Sequence, residues 1–293
     1  MKLIKYFVEF ILTILFFSVF KIIGVKKSSN ISCYIFKKAG PFIRSYKKIK
    51  NNLTIVFPKI NQSEIKKISD SMWCNYGRVF AEYMHLKFFR ENNNQNIKII
   101  NTGKINELKK SSKPILFFSG HFANFELLAM YLDKNEFNIS TLYRPLNNFF
   151  INPVMEYLRK RHICKNQIPK SIPGVKKYKY GTRELISKIK KNQNIAVMID
   201  QKVTQGIKVK LFKKDALTMN LPAQIALKYN YILQPLSIKR VNDINFEIFF
   251  HETIEVNKND DEYLITKKIN ERLEIMIRKN PGQWIWTHDR WRI

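Results

Sequence analysis

Residues 115–130 read ILFFSGHFANFELLAM, and three kinds of local structure follow one another within them. The apolar run at 115–118 has the length and composition of a buried strand, and Ser119-Gly120 is a turn pair. NFELLAM then opens with the apolar spacing of a helix. A strand that ends in a turn and passes at once into a helix is the repeating unit of a parallel α/β sheet. Outward from this stretch the same rhythm continues. Short β-branched or aromatic runs at 97–101, 139–143, 195–199, 232–239 and 246–253 predict strands, with helices between them at 124–133, 152–161, 182–191, 219–228 and 260–279. Upstream, 28–50 and 62–90 read as helices, the second opened by Ser63 as N-cap, and 92–96 is a polar loop. The predicted fold is α/β, a mainly parallel sheet flanked by helices.

Chemistry in such sheets collects at the carboxyl ends of strands, where His121 stands. Glu126 follows five residues later. In a continuous helix that step would turn the side chains apart by about 140°, so they meet only if His121 is in the loop and Glu126 begins the helix. A neutral imidazole whose second ring nitrogen is held by a carboxylate can take a proton from an alcohol. The nucleophile pattern G-x-S-x-G is absent, which argues for direct attack by an acceptor hydroxyl and against a covalent enzyme intermediate. Arg144, at the end of the 139–143 strand, and Asp200, at the end of the 195–199 strand, are further charges expected in the same cleft. A guanidinium there suits a phosphate or a developing oxyanion. Arg161 reads as a solvated charge. The histidines show no metal-ligand spacing, so no metal is expected.

The first residues have a different character. Positions 4–25 read IKYFVEFILTILFFSVFKIIGV, about the ~20 residues that cross a bilayer, with lysines at both ends and no small-residue cleavage site after them. Residues 1–27 are therefore expected to be a membrane anchor and 28–293 the water-facing domain. Over the 293 residues, 52 Lys+Arg against 23 Asp+Glu give a formal charge of +29. That excess favours polyanionic partners such as an anionic bilayer surface, a phosphorylated lipid or an acidic carrier protein. Nucleic acid would need aromatics interleaved with the basic residues on an exposed face, and most aromatics here fall in core runs. A membrane-tethered basic binding protein is the reading from another class. Cys33, Cys74 and Cys164 are odd in number and widely spaced, as expected of free thiols in a reducing compartment.

The whole chain resembles the secondary (late) acyltransferases of lipid A biosynthesis, the lauroyl/myristoyl group of the lysophospholipid acyltransferase-like superfamily. The resemblance rests on the apolar N-terminus, NLTIVFP at 52–58, GHFANFE at 120–126, TLYRPLNN at 141–148, YLRKR at 157–161, MIDQ at 198–201 and PGQWIWTHDRW at 281–291. It implies a glycerol-3-phosphate acyltransferase-like domain at the cytoplasmic face of the inner membrane of a Gram-negative-type bacterium. It further implies a His-x4-acid dyad, here His121 as general base with Glu126 as its orienting partner. Arg159 and Asp200 would position substrate or stabilise charge. The donor implied is an acyl carrier protein thioester, the acceptor a phosphorylated glucosamine lipid, and no cofactor is called for. A glycerophospholipid or other glycolipid acyltransferase shares the His-x4-acid chemistry and is the alternative within enzymes. One departure stands out: where the family has a glycine-rich FFG-type segment, this chain has Leu211-Phe212-Lys213-Lys214-Asp215.

Overall fold

The computed structural model describes residues 2–91, 95–170 and 179–292, so part of the loop expected at 92–96 lies outside the described residues. Five helices come first: α1 (Lys2–Ile23), α2 (Val25–Ile43), α3 (Tyr46–Val56), α4 (Gln62–Glu82) and α5 (Leu86–Glu91). Strands and helices then alternate through β1 (Ile97–Ile100), α6 (Thr102–Lys110), β2 (Ile115–Ser119), α7 (Glu126–Lys134), β3 (Ile139–Tyr143), α8 (Ile151–His162), β4 (Asn166–Pro169), α9 (Lys179–Lys190) and β5 (Asn194–Met198). A hairpin of β6 (Ile207–Leu211) and β7 (Lys214–Thr218) follows. The chain ends with α10 (Leu221–Tyr229), β8 (Ile232–Asn242), β9 (Asn245–Phe250) and α11 (Glu262–Lys279).

Seven strands form one sheet in the order β1-β9-β8-β2-β5-β3-β4, with β6 and β7 paired separately. Every pairing in the large sheet is parallel except β8 with β9. Strand β2 lies inside the sheet, and all five of its residues are buried, as its unbroken apolar sequence requires. Its neighbours are β8 on one side and β5 on the other, with Ser119 opposite Met198.

Several elements differ from the expected ones for local reasons. The single helix expected at 28–50 is two, because Arg44 turns to extended backbone at φ −133° and ψ 142° after Pro41. The helix at 62–90 becomes a 3₁₀ turn at Tyr83–His85 before α5. Its cap is Asn61, not Ser63: the Asn61 side chain accepts from the Glu64 N–H and Glu64 accepts from the Asn61 N–H, a reciprocal capping box.

Helices α2 and α4 pack closely. Ser28, Ser29, Ser32 and Gly40 of α2 are buried there, and a Cβ on Gly77 of α4 would run into the backbone of Ser32. Small residues let the two backbones approach this closely. Cys33 and Cys74 are joined by a disulfide across the contact, in place of the free thiols expected. Their separation of 41 residues conceals a proximity that only the helix packing creates. Cys164 is free and buried.

Helix α1 turns into α2 at Gly24, whose φ of +82° suits a residue without a side chain. It is long and apolar enough to cross a membrane, and 11% of its most apolar 18-residue window is buried. Phe17 and Phe20 pack on Phe80 of α4, while ten large apolar side chains from Leu3 to Ile22 stay exposed. Near its start Tyr6, Phe7 and Phe10 meet Phe149 and Phe150, and Asn148 donates to the Tyr6 carbonyl and to Glu9.

The departure at 211–215 is the tip of the β6–β7 hairpin. Phe212 and Lys213 form a two-residue turn with φ of +52° and +62°, a left-handed conformation that favours glycine. Phe212 is held there by burial, by Arg278 over its ring at 4.9 Å and by its N–H donating to Glu274. Lys213 is exposed and has no such compensation. Lys213→Gly is expected to stabilise the protein by about 1 kcal/mol, by relieving left-handed backbone. A thermal melt checks this: no rise in melting temperature would mean that the turn is unstrained.

Candidate active site

The site grows directly out of the sheet. His121 stands two residues beyond Ser119 and Asp200 two residues beyond Met198, and these two strand residues are paired in the β2–β5 ladder. The ladder therefore delivers both side chains to one place. The imidazole Nδ1 lies 2.7 Å from Asp200 Oδ1, and the His121 backbone N–H donates to Oδ2 at 2.8 Å. Trp284 Nε1–H donates to the same Oδ2 at 2.8 Å. Gly120 has no room for a Cβ between Phe122, Asp200 and Leu273.

Asp200 is fully buried, and burial alone would raise its pKa. Electrostatic attraction to the His121 ring and the hydrogen bonds from His121 and Trp284 outweigh that and bring it down to about 2. An ionised carboxylate only accepts, so Nδ1 carries the proton and Nε2 is left as the basic nitrogen. The imidazole is one-fifth exposed, between two cavities.

The carboxylate that the sequence reading gave to His121 is engaged elsewhere. Glu126 Oε1 accepts from Arg159 Nε at 3.0 Å and Nη2 at 2.6 Å, and also from the Tyr83 hydroxyl. Arg159 Nη2 donates to the Tyr83 oxygen as well, at 3.0 Å. The ring partner in the structure is thus Asp200, and Glu126 is the counter-ion of Arg159. The reason is topological: Glu126 opens α7 against Tyr83 and Arg159 of α8, whereas Asp200, just beyond β5, stands beside the loop. Burial works against the charge of Arg159, but Glu126 and Tyr83 overcome it and hold the guanidinium more firmly protonated than usual. Burial and then Glu126 push the Tyr83 hydroxyl well above its ordinary range, so it stays a neutral donor.

His121, Glu126, Arg144 and Arg159 line one cavity of about 860 Å³, with Lys170 and Lys202. Its floor is apolar, with Phe117, Leu128 and Leu132 among the lining residues. Arg144 follows the last residue of β3, as expected. Asp200 stands behind His121 as its support. Arg161 is exposed and donates to the Tyr157 hydroxyl. On the other side of His121 an apolar cavity of about 380 Å³ is lined by Phe17 of α1, Phe80, Tyr83, Phe125, Met155 and Trp284. Among the described residues no group of His, Cys, Asp and Glu could hold a metal ion.

Sequence reasoning missed Tyr83 and the role of Trp284. Nothing around Tyr83 distinguishes it from other aromatics of an apolar helix. A buried tryptophan usually places its N–H on an acceptor, and that rule could have pointed from Trp284 to a strand-end carboxylate. Trp284, Trp286 and Trp291 are all core residues.

The mainly parallel sheet thus carries an imidazole–carboxylate pair at its strand ends, between a cavity lined by Arg144, Arg159, Lys170 and Lys202 and an apolar one. The family model for bacterial lipid A biosynthesis acyltransferases matches residues 1–293, and the protein belongs to that family. It is an acyltransferase of the lipid A pathway, from a family of membrane-associated bacterial enzymes. No curated protein matches the chain significantly.

The Glu126–Arg159 pair permits a test of structure against chemistry. Arg159→Ala leaves the buried Glu126 carboxylate without its guanidinium and is expected to cost about 3 kcal/mol of stability. Replacing both partners, as Glu126→Gln with Arg159→Met, is expected to recover most of that stability but little acyl transfer. Urea melts beside initial rates check this; a double variant with near-normal rates would make the pair purely structural.

Proposed function

We propose that the protein transfers an acyl chain from an acyl carrier protein thioester to a hydroxyl of a phosphorylated glucosamine lipid, at the cytoplasmic face of the inner membrane. The observation that carries this reading is the His121–Asp200 pair at the wall shared by two cavities of different character. His121 Nε2 takes the proton of the acceptor hydroxyl as its oxygen attacks the thioester carbonyl. Asp200 keeps the proton on Nδ1 and stabilises the imidazolium that forms. The C–S bond then breaks, and the departing thiolate takes the proton back from the imidazolium. Arg144 and Arg159 supply positive charge for the acceptor phosphate or the oxyanion, with Glu126 and Tyr83 fixing where Arg159 points. The basic body of the chain suits an acidic carrier and an anionic lipid surface, and the proposed steps need no cofactor. Residues 1–27 serve as anchor and 28–293 as the catalytic domain.

The test is an in vitro assay with carrier-bound acyl chains and a tetraacylated glucosamine lipid precursor, run beside a lysophospholipid acceptor. Acylation of the glucosamine lipid alone is expected, and acylation of the lysophospholipid alone would overturn the acceptor assignment. His121→Ala and Asp200→Asn are each expected to lower the rate by ~10²–10⁴, the usual worth of general-base assistance, with unchanged membrane association. A folded His121→Ala protein that keeps a tenth of the rate would remove His121 as the base.

A further inference from the structure

The loop that carries His121 is held in a conformation it would not choose. Ala123 has a φ of +44°, in the left-handed region that a residue with a Cβ avoids. Both of its backbone polar groups are tied down. Its N–H donates to the Gln283 carbonyl at 2.9 Å, and its carbonyl accepts from Asn75 Nδ2 at 3.1 Å. The next residue, Asn124, is 1% exposed and donates through Nδ2 to Glu82 Oε2 at 2.9 Å.

These holders are themselves linked through a buried ion pair. Glu82, fully buried on α4, receives both Nη1 and Nη2 of Arg240, at 2.6 and 2.9 Å. Arg240 sits where the β8–β9 register shifts, an irregularity of the kind that re-aims a side chain. Its Nε donates to Asn75 Oδ1 at 3.4 Å, and its own backbone N–H and carbonyl are bracketed by the Gln283 side chain at 2.8 Å each. Arg240, Glu82, Asn75 and Gln283 thus close one network around Ala123–Asn124. A buried ion pair is weak evidence for stability, since apolar replacements often serve equally well. What it supplies is a fixed arrangement of polar atoms. Asn75 and Gln283 also line the apolar cavity together with His121 and Ala123.

We propose that Asn75, Glu82, Arg240 and Gln283 are positioning residues that clamp the loop of Ala123 and so hold His121 at its reacting distance. The proposal rests on His121 being the base in the reading above. The discriminating position is Asn75, because its two ends do different things. Asn75→Asp keeps an oxygen for Arg240 but loses the donor to the Ala123 carbonyl, and Asn75→Ala loses both.

Each variant is expected to lower kcat about tenfold or more, as loss of near-attack geometry does, with KM within about twofold of wild type. Asn75→Asp is expected to keep its melting temperature. Ala123→Gly added to Asn75→Ala supplies a residue that adopts positive φ without strain, and it is expected to restore most of the lost kcat. A merely structural role for Asn75 would not be rescued by a glycine in the loop. Wild-type kcat in Asn75→Asp, a rise in KM without a fall in kcat, or no recovery on adding Ala123→Gly would each overturn the clamp. His121→Ala in the same assay tells two failures apart. Activity there removes the base assignment, whereas a dead His121→Ala beside unimpaired Asn75 variants removes only the clamp.

Discussion

The backbone ladder between β2 and β5 is the constraint on which the rest of the structure depends. Its register sets Ser119 against Met198, and two residues further on each strand the chain puts an imidazole and a carboxylate 2.7 Å apart. Side chains alternate between sheet faces, so a slip of one residue would send His121 and Asp200 to opposite sides. Strand β2 is paired on both edges, with β5 on one side and β8 on the other, and the two ladders together fix its register. The helices that flank the sheet then supply the walls: α4 brings Asn75 and Glu82 to the loop, and the turn after it and α8 bring Tyr83 and Arg159 against Glu126.

The alternation of strand and helix was legible in the sequence because its elements have strong periodicity. The strand expected at 139–143 coincides with β3, and α7, α8 and α11 lie within a residue or two of their expected bounds. What escaped was decided by tertiary context. The edge strand β4 is the polar run NQIP, and the hairpin β6–β7 is rich in lysine, so neither carries an apolar signature. The break between α2 and α3 and the cap at Asn61 are matters of one or two residues.

The site was legible residue by residue more than pair by pair. His121, Glu126, Arg144 and Arg159 line one cavity, and Asp200 is bonded to His121, so the types and strand-end positions were informative. The pairing was not, because spacing along the chain says only which contacts are permitted. His121 and Glu126 could meet by spacing, yet β5 brings Asp200 closer to the ring and α8 brings Arg159 to Glu126. The disulfide shows the same limit from the other side: Cys33 and Cys74 lie 41 residues apart, and the small residues between α2 and α4 bring them together.

Helix α1 has one further consequence. Phe17 and Thr13 of this helix line the apolar cavity beside His121, and Phe17 packs on Phe80, another lining residue. A helix that only tethers a protein can be exchanged for any other of equal length and apolarity. This one lines the cavity beside His121 on its inner face, so on the proposed reading it serves the site as well as the membrane. On the proposed reading, attachment and turnover share this helix, and a borrowed tether is expected to restore the first without the second.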